Sequence, residues 1–150
     1  VQTVEWRYPD RENYFSSRLS YIFQLFIARK FTEDLSLQIT PLVVHRNLVA
    51  TELDDNDLFA LGIGGRYKLT DRMSINAEYF LPFTSAHEEV TAPLASFSIG
   101  ADIETGGQVL QVMLTNALPM TERGFIGETT SSWSDGGIHL GFNISRVFTL

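Results

Sequence analysis

The 150-residue chain has no cysteine. That excludes disulfide frameworks and thiolate metal sites, and it leaves the compartment undecided, because an oxidising periplasm and a cytosol both tolerate cysteine-free chains. Long apolar runs are also missing. No stretch approaches the roughly 18 apolar residues that a spanning helix needs, so a helical membrane protein is excluded. A membrane β-barrel is not, because its lipid-facing and lumen-facing residues alternate and average out. An apolar content of 44% and a mean hydropathy of +0.01 fit that averaging. Basic residues are few: 11 Lys and Arg against 18 Asp and Glu give a net charge of -7. Without clustered cations to displace counterions, no nucleic-acid partner is expected. Nor is there a GxSxG, a GxGxxG opening a helix, or an HExxH. The length suits one domain, large enough to bury a core or close a small barrel.

What the chain does have is alternation. In the closing stretch from Gly136 to Leu150, Ile138, Leu140, Phe142, Ile144, Phe148 and Leu150 share one face with Arg146. His139, Gly141, Asn143, Ser145 and Thr149 share the other with Val147. Period two over this length predicts a strand. The pattern recurs upstream. Leu19, Tyr21, Phe23, Leu25 and Ile27 oppose Ser20, Ile22, Gln24, Phe26 and Ala28. From Leu35 to Val43 the odd positions are apolar against Ser36, Gln38 and Thr40, and Pro41 counts against a central strand of a soluble sheet. Phe59, Leu61, Ile63 and Tyr67 oppose Gly62, Gly64, Arg66 and Lys68, and Met73, Ile75, Tyr79 and Leu81 oppose Ser74, Asn76, Glu78 and Phe80. Ala95, Phe97, Ile99, Ala101 and Ile103 oppose Ser96, Ser98, Gly100, Asp102 and Glu104, and Leu110, Val112 and Leu114 oppose Val109, Gln111, Met113 and Thr115, which completes seven clear strands, with a weaker eighth at Val1 to Trp6.

The connections alternate short and long. Thr32-Glu33-Asp34, Thr70-Asp71-Arg72 and Gly106-Gly107 are short; the acidic stretch Ala50 to Asp57, the looser stretch Pro82 to Pro93 and the polar stretch Ala117 to Asp135 are long. Outer-membrane barrels pair short periplasmic turns with longer extracellular loops in this way. Sidedness agrees with turn length. The first two hairpins keep their apolar residues on odd positions, which needs an odd connection, and the third moves them from odd to even, which needs an even one. Gly-Gly is a two-residue turn signal. The first two hairpins also repeat one another, KFTEDLSLQ matching KLTDRMSIN.

Candidate site residues lie on the polar face. Arg66, Lys68, Glu78, Asp102 and Glu104 gather mostly toward the short-turn end, and the Gly-Gly register sets Asp102 opposite Gln111. They form either a charged constriction or solute site, or a salt-bridged plug inside a narrow barrel. The apolar lumen positions Ile22, Phe26, Leu42 and Met113 favour the plug. Tyr21, Phe23, Tyr67, Tyr79, Phe142 and Phe148 suit interfacial girdles on the outer face, where Arg29 and Arg146 reach toward headgroups. His45, His87 and His139 lie in separate segments, and His139 is about 20 Å of strand from Ser145. No catalytic residue, cofactor or metal is therefore expected. The acidic stretch Glu52 to Asp57 lacks the ligand spacing of a calcium loop.

Two resemblances sharpen the reading. The long alternating strand at the C-terminus resembles the terminal signal strand of bacterial outer-membrane barrels, which implies barrel-assembly machinery as a partner. GADIETGGQVLQVMLTN at Gly100 to Asn116, the ending GFNISRVFTL, and SYIFQLFIARKF with LSLQITPLVVHRNLV earlier resemble an uncharacterised family of Gram-negative outer-membrane β-barrel proteins over about Arg18 to Leu150. The resemblance implies a signal peptide and further strands upstream, making this chain the C-terminal part of a larger barrel. Family members commonly carry His where this chain has Gln108 and Met113.

The expected fold is all-β: an antiparallel up-and-down transmembrane β-barrel, about eight strands of it in this chain, in the bacterial outer membrane. The expected role is a narrow, porin-like channel, a solute-binding barrel or a structural barrel without catalysis, in contact with outer-membrane lipid and a small solute. Two alternatives are a soluble β-barrel binding an apolar ligand, with its apolar faces inward, and a lipid-modifying barrel enzyme.

Overall fold

The computed structural model describes residues 10, 12, 14–49, 55–83, 93–119 and 121–146, the side chains of residues 122 and 123 excepted. The strand expected at Val1 to Trp6, His87, Phe148 and most of the acidic stretch lie outside these residues. The described chain is all-β. A single antiparallel sheet curls into a half-barrel from β1 (Ser20–Gln24), β2 (Ile27–Lys30), β3 (Leu35–Arg46), β4 (Asp57–Thr70), β5 (Met73–Phe83), β6 (Ser96–Thr105), β7 (Gln108–Thr115) and β8 (His139–Arg146). Neighbours in sequence are neighbours in the sheet, an up-and-down meander, except that β1 and β2 both pair with β3. One short helix, α1 (Glu122–Gly127), interrupts the strands.

β1 and β2 are one strand with a gap. Gln24 opposes Leu42 and Ile27 opposes Ile39 in a single unbroken register. Between them Leu25 donates its N–H to the Pro41 carbonyl at 3.0 Å. Proline has no N–H to return, so the ladder opens at Leu25 and Phe26. The strands expected from alternation are therefore seven positions in the sheet, written by the chain as eight segments. Pro41 is tolerated between two neighbours at the cost of that gap.

The hairpins keep the expected sidedness, one by a different route. Around Thr32-Glu33-Asp34, Phe31 donates to the Leu35 carbonyl at 2.9 Å, closing a three-residue loop. The second turn is shorter than its three-residue reading. Thr70 opposes Met73 across Asp71-Arg72, and the register shifts between Lys68 and Thr70. The bulge adds the one residue that the two-residue turn lacks, so the parity is unchanged. The repeated threonines do the same work in both hairpins. Thr32 Oγ1 accepts the N–H groups of Asp34 and Leu35 at 3.3 and 3.0 Å, and Thr70 Oγ1 accepts those of Arg72 and Met73 at the same distances. At the third turn Gly106 and Gly107 have φ of 51° and 104° between the paired residues Thr105 and Gln108; a side chain would strain both. The closing strand begins at His139 rather than Gly136, whose φ of 75° places it in a turn.

Burial is inverted relative to a soluble sheet. Phe23, Ile39, Phe59, Ile63, Tyr67, Tyr79, Leu81, Phe142 and Ile144 lie exposed on the convex face, while Thr40, Ser74, Ser96, Ser98 and Thr115 are buried on the concave one. A soluble carrier of an apolar ligand would present its apolar faces inward, so this sidedness removes that alternative. Among the described residues β8 pairs only with β7, and β1 and β2 only with β3. Neither edge therefore has a further strand beside it among the described residues, and hydrocarbon does not tolerate unpaired backbone groups.

The apolar core lies inside the curl, at the long-loop end. Leu42, Val44, Leu58 and Ala60 surround Ile126 of α1, with Ile22, Phe80 and Phe125 packed against them. The stretch Ala117 to Asp135, which reads from sequence as a polar loop, thus folds into the concave face.

Candidate functional site

Antiparallel registers stack the inward residues into rows perpendicular to the strands, and the rows change character from the loop end to the turn end. Toward the loop end they are largely apolar: Ile22, Val44 and Leu58 form one, and Gln24, Leu42, Ala60 and Pro82 the next. Ile126, 2% exposed, is seated among them. Phe125 meets Phe80 edge-on, ring centroids 5.5 Å apart. Gly127 allows this approach, because a Cβ there would stand 3.1 Å from the Leu58 side chain.

The inward-folded loop, an apolar plug distinct from the charge cluster, is anchored where it leaves and re-enters the sheet. Asn116 donates from Nδ2 to the carbonyls of Ala95 and Ser131 at 3.0 and 2.9 Å, and its Oδ1 accepts the Phe97 N–H at 2.7 Å. Trp133 donates to the Phe97 carbonyl at 3.1 Å, and the two rings stand 5.4 Å apart. One buried amide thus ties the start of the loop to its return and to the start of β6.

Below the plug lies a chamber of about 690 Å³. Phe80, Phe125, Ile126 and Pro119 line its upper part, and Gln38, Glu78, Ser98, Thr115 and His139 its wall. Small residues make room for the large side chains that shape it. A Cβ on Gly62 would collide with the Phe80 ring at 2.4 Å, and one on Gly141 would crowd Met113 at 3.1 Å.

The turn end holds the charges. Arg66 donates from Nε to Ser74 Oγ at 2.9 Å and from Nη2 to Glu104 at 3.3 Å, and Ser74 donates to Asp102 Oδ2 at 3.4 Å. The second Asp102 oxygen is buried without a partner among the described residues. Gln111 lies directly opposite Asp102, as the Gly-Gly turn requires. Lys68 occupies the same row, but its ammonium is 3.9 Å from Asp71 in the adjoining turn.

The structure therefore brings together Arg66, Asp102 and Glu104 through Ser74, sets Gln111 beside them, and leads Lys68 toward the turn. Glu78 stands apart, one row above Arg66, in the chamber wall. Sequence reasoning placed Ser98, Thr115 and His139 on the polar face without grouping them, and it missed Phe125 and Ile126 altogether. The only local signal was an apolar pair inside a polar stretch.

At the loop-end rim, beyond the apolar outer band, His45 Nδ1 lies 2.6 Å from Asp57 and its ring stacks on Tyr21. Among the described residues, no group of three or more His, Asp or Glu is gathered as a metal site.

A half-barrel that is apolar outside and polar inside, with its lumen filled from one end by a loop, is the geometry of a membrane barrel. No curated protein matches the chain, and no solved structure does. A family model does, over residues 1–148, and its description is a membrane-bound β-barrel domain. The chain belongs to that family, the membrane-bound β-barrel domains designated DUF5777.

Proposed function

We propose that this chain forms a solute-binding barrel of the bacterial outer membrane, closed to free diffusion by its inward-folded loop and without catalysis. The observation that carries the reading is the position of Ile126, sealed against Leu42, Val44, Leu58 and Ala60 above a chamber of about 690 Å³. An open channel would keep that space for water and line it with polar groups. Ligand sites are instead concave, largely apolar and furnished with a few converging polar groups, which describes the chamber. The non-catalytic reading rests on the turn-end cluster being engaged within itself, Arg66 with Ser74 and Glu104, and Ser74 with Asp102. Outer-membrane lipid meets the convex face, and the C-terminal strand is the element offered to the barrel-assembly machinery.

The test is conductance of the full-length protein in planar bilayers. The intact protein is expected to show no steady current. Replacing residues 120–135 with a short Gly-Ser connector opens one, with the heat-modifiable band in detergent as the check on folding. Steady current through the intact protein would replace this reading with a narrow channel.

A further inference from the structure

The chamber wall contains a row that no single stretch of sequence displays. Gln38 opposes Gly64, Gly64 opposes Glu78, Glu78 opposes Ser98, Ser98 opposes Thr115 and Thr115 opposes His139. These residues cross six neighbouring strands in one line, and all but Gly64 line the chamber. Glu78 is the single carboxylate of that lining. A Cβ at Gly64 would come into ordinary contact with the Glu78 side chain at 3.8 Å, so the glycine leaves that flank unfilled.

The cations nearest by register are held away from Glu78. Arg66 is drawn toward the turn end by Ser74 and Glu104, and Lys68 toward Asp71. Among the described residues no cation pairs with Glu78. Its neighbour on the other side, two residues along the same strand face, is Phe80, with Phe125 and Ile126 behind it. Glu78 is exposed to the chamber, so its unpaired carboxylate is free to meet an arriving counter-charge beside the apolar wall, and aromatic faces also attract organic cations. An anion would meet only repulsion from Glu78. A divalent metal would find one carboxylate where it needs several oxygen ligands.

We propose that the chamber binds a small amphiphilic organic cation, its ammonium group against Glu78 with Gln38 and Ser98 beside it, its apolar part against Phe80, Phe125 and Ile126. This rests on the solute-binding reading and names the class of solute. A chamber of about 690 Å³ is within the range that holds small organic ligands.

The full-length protein in nanodiscs is titrated with three probes of one skeleton, 4-phenylbutylamine, 4-phenylbutan-1-ol and 4-phenylbutyrate, with protein-free nanodiscs subtracted for lipid partitioning. The amine is expected to bind at least about tenfold more tightly than the other two. Glu78→Gln is expected to abolish that preference and leave the affinity for the alcohol unchanged, whereas Glu33→Gln, in an exposed turn, leaves both as they were. Should Glu78→Gln fail to fold, amide shifts decide the matter: in the unaltered protein the amine must move the Gly64 and Ser98 resonances, and stationary resonances overturn the assignment. Equal binding of all three probes, or an amine preference that survives Glu78→Gln, overturns the cation assignment and leaves the solute-binding reading standing. Binding of none of the three removes both.

Discussion

Phe142 and Asn143 are adjacent in β8 and face opposite media. Phe142 is 70% exposed on the convex side, while Asn143 stands opposite Gln111 on the concave side, in the row of Lys68, Ser74 and Asp102. The two residues lie at the same depth, so a charge placed at each compares the media alone. Phe142→Arg, on the lipid face at the depth of the outer girdle, is expected to cost up to about 1 kcal/mol, the penalty for arginine near the interface. Asn143→Arg is expected to fold at nearly unaltered yield. Urea unfolding in liposomes measures both, and equal tolerance would contradict the sidedness. The same physics explains why Tyr67 and Tyr79 are exposed while Ser74 and Ser98 are buried. In a barrel the apolar solvent is outside.

Among the elements, the first strand position shows how one residue sets local continuity. Its register against β3 is unbroken from Ser20 to Lys30, yet pairing lapses at Leu25 and Phe26 because Pro41 cannot donate. Pro41→Ala supplies the missing N–H directly opposite the Leu25 carbonyl. In that variant the new amide at position 41 is expected to exchange with water as slowly as those of Ile39 and Val43; rapid exchange would mean that the gap has another cause. Its effect on global stability is expected to be small. A gained hydrogen bond contributes about 0.5 to 1.5 kcal/mol, and the freer unfolded chain offsets about 0.4 to 1 kcal/mol of it. At the turns, the shared bonds of Thr32 and Thr70 account for the repeated hairpin sequence, each hydroxyl satisfying two amides at the tip.

For the whole molecule, the decisive feature is that the curl has two edges. Neither β8 nor the β1–β2 position has an outer neighbour among the described residues, and an open edge has no water to bond with inside a bilayer. In a bilayer each edge is therefore expected to find pairing partners. Hydrogen exchange on the full-length protein in lipid checks this. The β8 amides directed away from β7 are expected to exchange as slowly as those directed toward it, and fast exchange there would mean that the edge stands open to water. The plug and the chamber depend on the same closure, because the chamber lining runs from Phe26 on one side to His139 and Leu140 on the other.

The division between sequence and tertiary structure follows from range. Which residues face out and which face in was legible, because the side-chain period of a strand is two and each short turn carries parity across a hairpin. Arg66, Asp102, Glu104 and Gln111 were accordingly placed on one face, and Asp102 opposite Gln111, from the sequence alone. The row of Glu78 was not legible. Its membership depends on pairing across β3–β4, β5–β6 and β7–β8, whose connections are long and carry no parity, so only the assembled sheet sets Ser98, Thr115 and His139 in line with it. The plug was hidden for the same reason. Phe125 and Ile126 sit in a polar stretch with no period, and their place became visible only when the curled sheet offered Leu42, Val44, Leu58 and Ala60 as an apolar surface inside it. The sequence by itself determined sidedness and the membrane; the tertiary structure decided what closes the lumen and what stands in it, because those contacts join residues that no local pattern relates.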